Sequence, residues 1–169
     1  NLASIAGLAS YLLFIAYFYL LNLNPLGPIK YVSLAVTAFL LYLAIKHYRD
    51  TELEGFGKFN QLFMPRVIFS FVYSSLIGML VYLHTSMLDV SVVEFVIRDG
   101  LESVGEFKEV MLNYMDKDEY QKLIDQYESL SPSVLALTDF QSKSITTLVL
   151  ALIYSLILRK SPPIFNEGE

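Results

Sequence analysis

The chain has 169 residues, of which 54% are hydrophobic and 17% charged, with a formal net charge of −5 and no cysteine. A soluble domain carries about 25% charged residues, so this chain is poor in charge, and the charges it has are clustered. That composition excludes a disulfide framework or a thiolate metal site and argues against a nucleic-acid partner. It is the composition of membrane spans separated by wet loops.

The first apolar run covers residues 2–21 and contains no charge. Twenty residues at about 1.5 Å each match a hydrocarbon core of about 30 Å. The run follows Asn1 rather than Met and is too long for a signal-peptide core. The stretch "NLNPLGP" after it, with two Asn, two Pro and a Gly, reads as a tight turn. A second span is predicted over residues 29–45, with Lys30 and Tyr31 at its interface. The charged segment "KHYRDTELEGFGKFNQLFMPR", residues 46–66, is predicted as a loop. A third span over residues 67–88 is again free of Asp, Glu, Lys and Arg. The fourth, over residues 143–158, is short, with Lys143 before its apolar core and Arg159 and Lys160 after it.

The segment between spans three and four, residues 89–142, carries twelve acidic and four basic residues. Val93, Ile97, Leu101, Val104, Phe107 and Met111 recur at helical spacing, which predicts one amphipathic helix. A second is predicted from Lys117 to Leu130, with Tyr120, Leu123, Ile124 and Tyr127 on one face and "SLSPS" ending it. Asp116, Asp118 and Glu119 read as a helix start. The expected fold is therefore all-α: one domain over residues 1–169, a four-helix transmembrane bundle with an extracytoplasmic amphipathic helical insert between spans three and four.

Orientation follows the basic residues. The 46–66 loop holds Lys46, Arg49, Lys58 and Arg66, and the turn near Pro25 holds none. Both termini and that loop are expected in the cytoplasm, and residues 89–142 in the periplasm.

Candidate functional residues are few. Ser70, Ser74 and Gly78 on span three, and Thr147, Ala151 and Ser155 on span four, repeat every four positions. Ala3 and Gly7 form a shorter pair. Small residues at this spacing let helices approach closely, within the bundle or against a partner. Lys46, Arg49, Gly55, Gly57, Lys58 and Arg66 form a membrane-interface loop, with Lys58 and Arg66 reaching for phospholipid phosphates and Phe56, Phe59, Leu62 and Phe63 lying on the headgroup layer. "GFGK" lacks the spacing of a phosphate loop. No charge is expected in the middle of a span, where it would mark an ion path. His47 and His84 fall on opposite sides and share no metal; His84 is placed to touch Asp89. No catalytic constellation and no cofactor or metal site is read here.

The stretch "YRDTELEGFGKFNQLF", with Tyr48, Arg49, Asp50, Gly55, Phe56, Gly57, Lys58 and Phe63, is similar to the "YRD…GG…FGKAF" signature of an uncharacterised family of small four-span inner-membrane proteins common in Bacteroidota. The insert before the last span and the terminal "LILRK" fit the same layout. The resemblance implies a fold and a compartment and no activity. The functional expectation is a non-catalytic accessory or assembly subunit of a larger inner-membrane complex, such as translocon, respiratory or envelope machinery. Its partners would be other integral membrane proteins and phospholipids. The alternative is a carrier of an apolar, lipid-like solute.

Overall fold

The structure, a computed structural model, describes residues 2–161. It is all-α, and among the described residues no β-strand forms; a single antiparallel bridge joins Gly57 to Lys160. The helices are α1 (Leu2–Tyr19), α2 (Lys30–Glu52), α3 (Phe59–Leu83), α4 (Ser91–Glu106), α5 (Lys108–Met111), α6 (Lys117–Glu128) and α7 (Pro132–Leu158). α3 runs on through one π-helical turn, His84–Leu88. Four helices, α1, α2, α3 with its extension, and α7, are long and apolar enough to cross a membrane. The bundle therefore has two ends: a cap end carrying α4 to α6, and a basic end where α2 turns into α3 and α7 finishes.

Helix limits differ from the predicted spans in ways that matter for the site. α2 continues to Glu52 and α3 already starts at Phe59, so the expected 46–66 loop shrinks to residues 53–58. Pro65 lies inside α3 and leaves it unbroken. α7 is 27 residues long, about 40 Å by the helical rise, and the expected fourth span is only its second half. Ser131 caps it by accepting from the Val134 N–H, and Pro132 takes the first helical position, where its missing N–H costs nothing. "SLSPS" thus ends α6 and starts α7 at once. At the head of α6, Asp116 accepts from Glu119 N at 2.7 Å and Glu119 reaches back to Asp116 N, the reciprocal pattern of a capping box.

α3 is the hub. In its most apolar window 44% of residues are buried inside the chain, against 22–33% for the other three spans. It packs on α7, α1 and α2, and Leu62, Tyr73, Ile77 and Val81 form its core face with Leu41 and Ile45 of α2, Phe14 of α1 and Ala151 of α7. The opposite faces, with Ile68, Phe71 and Met79 of α3 and Ile145, Val149 and Ile157 of α7, are exposed, as lipid requires.

Both small-residue stripes are spent inside this packing. Ser70, Ser74 and Gly78 are buried on α3, and Thr147, Ala151 and Ser155 on α7. At Gly78 a β-carbon would stand 3.1 Å from Phe140 Cβ and 3.5 Å from the Ala136 carbonyl oxygen.

In the cap, α4 buries Val92, Val93, Val96, Gly100 and Val104. This face is rotated from the expected one: Ile97 and Leu101 are half-buried and Phe107 is exposed. The cause is Gly100, where a β-carbon would fall 2.2 Å from Tyr127 Cε1 of α6. A helix face centred on a glycine is invisible to a count of apolar side chains. The expected face of α6, Tyr120, Leu123, Ile124 and Tyr127, is half-buried throughout.

Two substitutions check this packing. Gly78→Leu overpacks the α3–α7 seam and should lower the detergent melting temperature by an amount equivalent to more than about 1 kcal/mol; an unchanged melting temperature refutes the seam. Gly100→Ala should displace Tyr127 and raise protease sensitivity within residues 91–128 while the bundle melts as before.

Candidate functional site

Ser10 of α1, Thr37 of α2 and Tyr73 of α3 meet at the centre of the bundle. Ser10 Oγ lies 3.3 Å from Thr37 Oγ1 and 3.2 Å from Tyr73 Oη, and Thr37 Oγ1 lies 3.1 Å from Tyr73 Oη. Tyr73 and Thr37 are wholly buried. Three hydroxyls from three helices satisfy one another where neither water nor lipid offers a partner. The hydroxyls of Ser70, Ser74, Ser144 and Ser155 are buried without any partner.

Asp139 and Lys143 lie one turn apart on α7. The Lys143 ammonium donates to both carboxylate oxygens of Asp139, and Asp139 is only 6% exposed. Along the axis Asp139 lies about 28 Å and Lys143 about 22 Å from Leu158, at the cap end of the apolar stretch and beside Lys30 at the start of α2. α7 begins at Pro132 rather than near Lys143, so Asp139, which falls in the expected insert, is held within the long helix and buried. A buried charge is costly unless it is paired and hydrogen-bonded, as Asp139 is by Lys143. Two cavities, of about 190 and 160 Å³, adjoin the pair. Both are lined by Asp139, Ser142 and Lys30; the larger adds Leu26, Val96, Leu130 and Leu135 with Tyr127 and Thr138.

At the cap end His84 is buried in the π-helical turn. Tyr19 Oη donates to Asp89 Oδ2 at 2.5 Å, so its oxygen accepts from His84 Nε2 at 3.1 Å, and the Tyr11 hydroxyl donates to His84 Nδ1 at 2.9 Å. The tyrosine has one proton, which fixes the roles along this chain. His84 thus reaches Asp89 through Tyr19 rather than directly. The Ser91 hydroxyl, and after it Tyr19, holds the Asp89 carboxyl below its ordinary range.

At the basic end the expected interface residues separate. Lys46 and Lys58 are exposed. Arg49 pairs with Asp50 at 2.6 Å and donates to the Leu158 carbonyl at 3.4 Å, tying α2 to the end of α7. Gly55 adopts φ +83°, a left-handed turn conformation open to glycine. Gly57 is buried against Leu62 and exchanges hydrogen bonds with Lys160 at 2.9 and 3.0 Å. Leu62 is fully buried, not laid on a headgroup layer. Arg66 is the larger departure. It is 5% exposed, on α3 and not in a loop, and its Nη2 donates to the Ala44 carbonyl at 2.7 Å. Its guanidinium carbon stands 4.9 Å from the centre of the Tyr48 ring, and its Nε is buried without a partner. Counting helix turns from Phe59 instead of Val67 would have placed it inside.

Among the described residues no group of three His, Asp or Glu side chains is arranged to hold a metal ion. The fold and its buried polar interior are those of a multi-pass α-helical membrane protein. The chain belongs to the family described as "Protein of unknown function (DUF4199)", whose profile matches residues 1–160. No curated protein and no solved structure matches it.

The ion pair gives a test. Removing one partner of a buried pair strands the other charge, at a cost of about 3–5 kcal/mol, whereas replacing both with apolar groups is near neutral. Lys143→Met should therefore lower the melting temperature steeply, and adding Asp139→Leu should restore it. Additive losses would show that the two charges do not meet.

Proposed function

We propose that this protein is a non-catalytic accessory or assembly subunit of a larger complex in a bacterial inner membrane, of the kind found in Bacteroidota, and that its cap makes the contact. The observation that carries this reading is an exposed apolar cluster on an otherwise acidic insert. Phe107, Val110 and Tyr114 are all exposed, Tyr114 to 86%, around the short helix α5. Scattered exposed apolar residues are ordinary, but aromatic and aliphatic side chains gathered at one tip mark an interaction site. The small-residue stripes, the other candidate for docking, are already buried between α3 and α7. The chain of four basic residues around the α2–α3 turn supports N-in, C-in orientation with the cap in the periplasm. The partner surface would be an integral membrane protein's extracytoplasmic face.

A carrier of a lipid-like solute is the second reading. Asp139, Lys143 and the two adjoining cavities favour it, since the larger cavity is mostly apolar with charge at one side.

Two experiments decide. With cysteines at Ser103 and Thr51, an impermeant thiol reagent should label the first and spare the second in intact cells; the reverse overturns the orientation. A photocrosslinker at Tyr114 should capture one defined protein, and Phe107→Asp should abolish the adduct. Crosslinks to lipid alone would overturn docking through the cap.

A further inference from the structure

A cleft of about 410 Å³ opens at the basic end, between the start of α1, the end of α2 and the start of α3. Arg66 is in its wall. We propose that this cleft binds the phosphate-bearing headgroup of an anionic phospholipid, with the Arg66 guanidinium as the partner of the phosphate.

Three observations converge on that chemistry. The first is the unsatisfied donor. Arg66 is 5% exposed, yet only a carbonyl and an aromatic face meet it, and its Nε is buried with no acceptor. An arginine is always charged, and a buried charge without a counter-ion is costly. Arg66 lines the cleft, so an anion there gives the guanidinium the counter-ion that its carbonyl and aromatic neighbours do not, and phosphate oxygens match its planar fork.

The second is the polarity gradient of the walls. His47, Tyr48 and Thr51 line the cleft on the α2 side, whereas Ile68 and Val72 of α3 line it on the other. Ile68 and Val72 are exposed to the bundle's outer surface, where acyl chains would run. A polar pocket continuous with an apolar outward face fits a lipid and not a freely diffusing anion. The third is charge. Glu52 is the carboxylate at the lining, and it is exposed, free to turn to water. Among the described lining residues Arg66 is the one Lys or Arg, and the nearby Arg49 is paired with Asp50.

Thermal unfolding of the delipidated full chain in neutral detergent tests this. Dioleoylphosphatidylglycerol at saturating concentration should raise the melting temperature by roughly 5 °C, the scale of a ligand held well above its Kd. Dioleoylphosphatidylcholine, whose phosphate is internally compensated, should give a smaller rise. Inorganic phosphate should give almost none; a rise equal to the anionic lipid's would overturn the lipid source. Arg66→Gln should remove the response to phosphatidylglycerol. Because that variant also loses its bond to Ala44, Val72→Trp provides a second arm. It keeps Arg66, fills the apolar half of the cleft, and should fold like the parent while losing the response and the lipid co-purifying by native mass spectrometry. Full responses in either folded variant would overturn the proposal.

Discussion

Lipid gives two apolar helices no reason to leave it for each other, so a bundle in a membrane must be held by close backbone approach and by polar groups that find no other partner. The α3–α7 seam answers that constraint. Gly78 lets Phe140 and the Ala136 carbonyl approach to van der Waals contact, and the buried Ser70, Ser74, Thr147, Ala151 and Ser155 keep the same seam thin. Everything else is placed by it. α1 and α2 lean on the other side of α3 through Ser10, Thr37 and Tyr73, and the head of α7 carries the cap. A seam of small residues contributes dispersion at short range, and the hydroxyl triangle contributes direction.

Polarity inside the bundle is arranged in layers. His84 and its tyrosines close the cap end, Asp139 and Lys143 lie below them, the Ser10–Thr37–Tyr73 group lies centrally, and Arg66 lies towards the basic end. Each layer is satisfied locally except the last, and the four unpaired serine hydroxyls cost little because weak neutral groups are far cheaper to strand than a cation. The contrast between a self-satisfied Asp139–Lys143 pair and an unsatisfied Arg66 separates a charge that the fold has neutralised from one that still presents a donor.

The architecture was legible in the sequence because uninterrupted apolar runs and charged punctuation are one-dimensional signals. Four long apolar helices and a helical insert could be read from spacing, and so could the small-residue stripes, though not whether they face the bundle or a partner. What was hidden depended on where helices begin. Asp139 falls in the expected insert and Arg66 in the expected loop, because in a sequence a charge reads as the end of a helix. In both cases a helix extends past the charge and buries it: α7 by starting at the Ser131–Pro132 cap, α3 by carrying Pro65 in its early turns. The cap face was misread by one residue for a related reason, since Gly100 contributes to packing by lacking a side chain.

Placing Asp139 and Lys143 on one helix has a consequence for how the chain reaches its membrane. Among the described residues α7 is the fourth candidate span, and 22% of its apolar window is buried, the least of the four. It enters lipid with two ionisable groups towards its cap end, where an unpaired charge would add to the cost of insertion. Partners four residues apart meet as soon as one turn of helix forms, without contact from another span. The segment can therefore leave the insertion machinery as a dipole rather than as two separate ions, with no helper helix needed to neutralise it. Had the partner of Asp139 been on α3, biogenesis would have required the two spans to be delivered together.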